Sequence, residues 1–113
     1  MDIQIKELGE TRIIRLAGRL DGTTMQQAEA AFMQLAELGL KQYVYDLSSL
    51  DYISSAGLRV MLLSVKKTRA AGGRLALFGL NDNVSEIFRI SGFSAIFTIV
   101  GTEDEALGVV TQA

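Results

Sequence analysis

Apolar residues recur along this chain at two spacings, and the switches between them mark out its elements. Ile3-Gln-Ile-Lys-Glu-Leu8 alternates with period two, as a half-buried strand does. Gly9-Glu10 interrupts it, and Arg12-Ile-Ile-Arg-Leu-Ala17 reads as its hairpin partner. Gly18-Arg-Leu-Asp-Gly22 is a turn-rich link with room for a very short strand. From Thr24 the spacing lengthens: Ala28, Ala31, Phe32, Leu35 and Leu38 share one helical face. Thr24-Met-Gln-Gln27 has capping-box form, and Gly39 suits the left-handed residue that ends such a helix.

The alternation of element types then repeats. Tyr43-Val-Tyr-Asp-Leu47 predicts a short buried strand. Leu58, Met61, Leu62 and Val65 predict a helix from about 55 to 71, ending at Gly72-Gly73. Lys66, Lys67 and Arg69 lie in its last turns, where cations complement the helix dipole. Leu75-Ala-Leu-Phe-Gly79 predicts a strand, and Asn83-Val-Ser-Glu86 opens a short helix with Val84, Ile87 and Phe88 inward, closed by Gly92. Ile96-Phe-Thr-Ile-Val100 reads as a final edge strand, and Thr102-Glu-Asp-Glu105 caps a last helix through about Val110. A hairpin followed by strand–helix–strand units requires right-handed crossovers and parallel pairing. The expected fold is therefore α/β: one domain over 1–113, with a mixed four- to five-stranded sheet and about four helices packed on it.

Composition narrows the function. At 49% hydrophobic and 21% charged residues, the chain has the make-up of a folded domain. A net charge of −2, with no arginine-rich run, argues against direct nucleic-acid binding. Cysteine and histidine are both absent. That removes disulfides, thiolate metal sites, the commonest general base and every Ser-His or Cys-His nucleophile pair. The start, Met1-Asp-Ile-Gln-Ile-Lys-Glu7, lacks the basic-then-apolar layout of a secretory signal, and no apolar run reaches membrane-spanning length. The expectation is a cytoplasmic protein with no membrane insertion.

The stretch Asp46-Leu-Ser-Ser-Leu-Asp-Tyr-Ile-Ser-Ser-Ala-Gly-Leu-Arg59 carries the candidate chemistry. It runs from an apolar strand through a polar turn into an amphipathic helix that opens on two hydroxyls. Ser54 and Ser55 stand where unpaired N–H groups and the positive end of the helix dipole converge, a place that suits a capping serine or a phosphate. Ala56 and Gly57 leave that helix end uncluttered. A helical glycine costs roughly 1 kcal/mol relative to alanine, so Gly57 answers either to close packing within the fold or to access for a partner. Arg59, one turn after Ser55, suits a phosphate or an acidic partner, or plain solvation. Asp21, Asp46 and Asp51 lie near strand ends. They could hold Mg²⁺, but turn-forming carboxylates bonded to local backbone explain them without it, and no metal or other cofactor is expected.

Tyr52-Ile-Ser-Ser-Ala-Gly-Leu-Arg-Val-Met61 resembles the phosphorylation segment of the STAS domains known as anti-sigma factor antagonists. Gly18-Arg-Leu-Asp21 resembles the family's Gly-x-Leu-Asp element, Tyr45-Asp-Leu47 its strand ending in Asp-Leu, and Phe88-Arg-Ile-Ser-Gly92 its late helix–glycine turn. The resemblance spans essentially the whole chain. Transferred by position, it implies Ser55 as the phosphorylated serine, with Ser54 the alternative because it stands where many members carry aspartate. It further implies a partner-binding surface including Asp21, Ser54, Ala56, Gly57, Leu58 and Arg59, and no catalysis by the chain itself. The implied partner is an anti-sigma factor that is also an ATP-dependent serine kinase. Unphosphorylated antagonist binds it and frees the sigma factor, phosphorylation blocks binding, and a PP2C-type phosphatase reverses the block. The other reading is a non-switching STAS subunit supporting a membrane transporter ATPase. A monomer or weak homodimer is expected.

Overall fold

The computed structural model describes residues 1–112. The chain opens with an antiparallel hairpin, β1 (Asp2–Leu8) and β2 (Thr11–Leu20), turned at Gly9, whose φ is 60°. There follow α1 (Met25–Glu37), β3 (Gln42–Asp46), β4 (Leu50–Ile53), α2 (Ser55–Ala70), β5 (Arg74–Phe78), α3 (Asp82–Ile90), β6 (Thr98–Val100) and α4 (Glu103–Val110). The described strands form one mixed sheet in the order β1-β2-β3-β5-β6, with β4 pairing to β2 alone. Every pairing except β1–β2 is parallel.

Strand alternation sends side chains to two unequal cores. Ile14, Leu16, Tyr43, Tyr45 and Leu77 meet Phe32 of α1, Met61 and Val65 of α2, and Val84 and Phe88 of α3. Ile13, Val44, Ala76 and Phe78 face the other way, under Ala106 and Val110 of α4. The larger core encloses a polar pair. The Tyr45 hydroxyl lies 2.8 Å from Ser64 Oγ, and Ser64 in turn donates to the Val60 carbonyl at 3.0 Å. Burial raises the Tyr45 pKa, against the Ser64 hydrogen bond.

The α/β expectation holds, but the sheet has six strands where four to five were predicted. The addition is β4. Residues 50–53 look like part of a polar turn because Asp51 and Tyr52 are exposed. They become a strand because β2 continues to Leu20, while its pairing with β3 stops at Arg15↔Asp46, leaving a free edge at Gly18–Leu20. The last strand is correspondingly shorter than expected, since Phe97 turns into the core and pairing begins at Thr98.

Helix ends differ in detail. Thr24 forms no capping box: its hydroxyl donates to the Arg19 carbonyl at 2.8 Å and accepts from the Asp21 N–H at 3.0 Å. Leu38 falls just beyond α1 and is 76% exposed rather than inward. The third helix is capped by Asn81, not opened at Asn83. Asn81 Oδ1 accepts from Val84 N–H at 2.8 Å, while its Nδ2 donates to the Leu50 carbonyl at 3.0 Å and ties α3 to β4. The capping threonine of α4 stands as predicted, with Thr102 Oγ1 accepting from Glu105 N–H at 3.2 Å.

Candidate functional site

The β2–β4 pairing builds the site. A register shift between Gly18 and Arg19 bends β2, and Gly18 takes a φ of 103° that only glycine adopts readily. Its N–H donates to the Ser49 carbonyl at 3.0 Å, after which Arg19 lies opposite Tyr52 and Leu20 opposite Ile53. The Ser54 N–H closes the ladder on the Leu20 carbonyl at 2.9 Å. One residue, Ser54, thus separates the last strand residue from the first helical one, and Asp21 emerges beside it.

The two serines divide the work. Ser54 has the extended backbone of a cap (φ −95°, ψ 177°), and its Oγ accepts from Gly57 N–H at 3.3 Å. Its carbonyl receives the first helical bond, from Leu58 N–H at 2.9 Å. Ser55 is the first helical residue. It is exposed, and its hydroxyl has no hydrogen-bond partner among the described residues. This is the positive end of the helix dipole, where the N–H groups of a first turn lack helical partners.

Gly57 is explained from within. A Cβ there would lie 2.6 Å from the Leu20 carbonyl oxygen and 2.8 Å from Ile53 Cγ1. Close packing on the end of β2 therefore demands glycine. Ala56 and Leu58 are likewise buried, whereas Arg59 is exposed and makes no ion pair among the described residues. The sequence-predicted surface thus separates into outward residues (Asp21, Ser54, Ser55, Arg59) and inward ones (Ala56, Gly57, Leu58) that set where the helix begins.

Asp21 is locally restrained. Its Oδ1 accepts from the Thr23 N–H at 2.9 Å and the Thr23 hydroxyl at 2.7 Å, and Arg19 Nε stands 3.5 Å from Oδ2. The Thr23 hydrogen bonds, reinforced by Arg19, hold this carboxyl below the usual carboxylate range. The Arg19 guanidinium also lies over the Tyr52 ring, 4.3 Å from its centroid. Nothing in the sequence pairs Arg19 with Tyr52, because only the β2–β4 register makes them neighbours. Asp46 is a turn former, with Oδ1 accepting from Ser48 N–H at 2.9 Å and Ser48 Oγ at 2.6 Å. Among the described residues, no three His, Cys, Asp or Glu side chains gather where a metal could be held.

A serine-bearing helix end abutting a bifurcated long strand is one arrangement of a recurring fold, and comparison with known proteins identifies it. The sequence pattern of the STAS domain matches residues 2–106. The chain belongs to the STAS domain family. BtrV of Bordetella bronchiseptica, which carries the name of an anti-sigma factor antagonist, is 38% identical over 113 residues, covering 100% of this chain and 97% of BtrV. The anti-sigma-B factor antagonist of Listeria monocytogenes is 34% identical over 110 residues, covering 96% of each chain. The Bacillus cell fate determinant SpoIIAA, solved in its phosphorylated form, superposes with a TM-score of 0.74 at 25% identity, covering 95% of this STAS domain and 97% of SpoIIAA. Nothing in these likenesses favours a transporter subunit. No helix among the described residues of this STAS domain is long and apolar enough to cross a membrane.

Proposed function

We propose that this STAS domain is an anti-sigma factor antagonist whose partner binding is switched off by phosphorylation of Ser55. The observation that carries this reading is the division between the serines. Ser54 is occupied as the cap, while Ser55 stands exposed with a free hydroxyl. The partner is an anti-sigma factor that is also an ATP-dependent serine kinase. In its active site Ser55 Oγ attacks the γ-phosphorus of ATP, ADP leaves, and the hydroxyl proton passes to a base on the kinase. The STAS domain supplies the nucleophile and the docking surface, and no catalytic group of its own.

Asp21, Ser54 and Arg59 form the polar rim around Ser55, while Ala56, Gly57 and Leu58 hold the helix end in place from inside. A phosphoserine adds about −1.5 to −2 of charge to an interface shaped for a neutral hydroxyl. A 100-fold loss of affinity requires only ~2.8 kcal/mol, within the range of one charge left badly paired at an interface. Free N–H groups at the start of α2 accommodate the phosphate, so the modification leaves the fold intact. A PP2C-type phosphatase restores binding.

The test is to incubate the domain with ATP and its candidate kinase and to locate phosphate by peptide mass spectrometry. Ser55→Ala should abolish phosphorylation and retain kinase binding, Ser55→Asp should weaken binding, and Ser54→Ala should do neither. Phosphorylation that survives Ser55→Ala but not Ser54→Ala would shift the site by one residue. Indifference to both substitutions would refute the switch.

A further inference from the structure

β1 is an outer strand of the sheet, seven residues long, without proline or bulge, and among the described residues it is paired on one side only. Such an edge offers a row of unpaired backbone groups, which proteins usually block with a proline, a bulge or an edge lysine. Lys6 would serve as that block against a generic strand. Against a second copy of this strand it does not.

We propose that two copies of this protein associate through antiparallel β1–β1 pairing with Gln4 on the two-fold axis. In that register Asp2 lies opposite Lys6 of the second copy, Ile3 opposite Ile5, and Gln4 opposite Gln4, and the symmetry repeats each pair. Charges of opposite sign meet twice, and apolar residues meet twice. The faces agree as well. Ile3 and Ile5 stand across from Leu16 and Ile14 of β2, on the side of the larger core, and Ile5 is 42% exposed there. Pairing would join the two copies' isoleucines in one stripe, continuous with both cores. Asp2, Gln4 and Lys6 share the opposite, polar face.

Registers shifted toward the hairpin turn fail, and an axis through Ile3 sets Asp2 against Gln4 and so loses both charge pairs. An axis through Ile5 sets Ile3 against Glu7 and Asp2 against Leu8. An axis through Lys6 sets two lysines against each other and Ile5 against Glu7. Directly opposed cross-strand pairs decide such choices, since matched pairs stabilise and like charges repel. Two existing contacts must adjust: Lys6 Nζ lies 3.7 Å from Glu103 Oε2, and Gln4 Nε2 donates to Asp2 Oδ2 at 3.4 Å. Both are exposed and long, so they yield easily. The paired segment is short, so the association depends on concentration.

Cysteine scanning reads the register directly, because the chain has no cysteine of its own. With the axis at Gln4, two Gln4→Cys chains place their sulfurs face to face. Two Lys6→Cys chains hold their Cα atoms about 14 Å apart, beyond the roughly 7 Å a disulfide tolerates. Gln4→Cys should therefore oxidise to a covalent dimer, and Lys6→Cys should not. In sedimentation velocity the unmodified chain should dimerise with rising concentration. Lys6→Asp should weaken the dimer by about tenfold or more, and Asp2→Lys with Lys6→Asp should restore it. A chain that stays monomeric at its solubility limit would overturn the proposal. So would equal crosslinking at positions 4 and 6, or a Lys6→Asp variant that dimerises as well as the parent. β1 lies on the opposite side of β2 from β4, so none of these outcomes depends on Ser55.

Discussion

Gly57→Ala isolates the contact that places the serine-bearing helix end. In an exposed helix this substitution would stabilise by about 1 kcal/mol, the difference in helix propensity. Here the new methyl would sit 2.6 Å from the Leu20 carbonyl oxygen and 2.8 Å from Leu20 Cγ and Ile53 Cγ1. Overpacking a filled site costs typically 1–3 kcal/mol. The upper end applies, because the nearest atom is backbone and is already held by the Ser54 N–H. Allowing for the helix gain, the net loss is about 2 kcal/mol, or roughly 8 °C in Tm for a domain of this size. Gly108→Ala is the control: Gly108 lies within α4 and a Cβ there meets nothing within 4 Å, so it should gain about 0.5–1 kcal/mol. Urea and thermal unfolding followed by circular dichroism measure both. If Gly57→Ala is as stable as the parent, α2 has slack at its start, and the close approach does not fix Ser55. If it is destabilised as predicted, kinase binding should weaken with it, since the helix must tilt away from β2.

Ser54→Ala should cost about 1 kcal/mol through loss of the cap, while Ser55→Ala should stay within about 0.5 kcal/mol, measured by the same unfolding curves; the reverse order would exchange the roles of the serines. Tyr45→Phe should cost about 1 kcal/mol by removing the buried bond to Ser64. The folded protein keeps the Tyr45 proton, whereas the unfolded chain releases it near its ordinary pKa of 10.0. Stability is therefore fully present below pH 10 and falls above it, by about 1.4 kcal/mol per pH unit from this group, and the phenylalanine variant should lose that slope. Asp21, with its pKa lowered by Thr23, contributes stability above its ordinary value of 3.8 that is lost as pH falls through the folded value. Asp21→Asn should flatten that acid limb and, in a binding assay, weaken capture of the kinase.

Much of this protein was legible along the chain. Hydrophobic spacing marked the hairpin, four helices and the strands at 43–47 and 75–79, because a strand or helix buried on one side writes its period into the residues that face the core. The helix opening at Ser54-Ser55 was visible for the same reason, with a hydroxyl pair preceding an amphipathic run. Yet which serine caps and which stays free was decided where β4 passes into α2, with the Ser54 N–H held on the Leu20 carbonyl. Local pattern could not show β4 itself, since a four-residue strand exposed at its two central positions owes its existence to the unpaired end of β2, some thirty residues earlier. The same long-range contact brought Arg19 over Tyr52 and turned Gly57 from a choice between packing and access into a packing requirement. Periodicity reports the burial of an element's own face. Register, caps that bond to distant carbonyls, and the clearance above a glycine belong to pairs of segments, and they take values only once those segments have met.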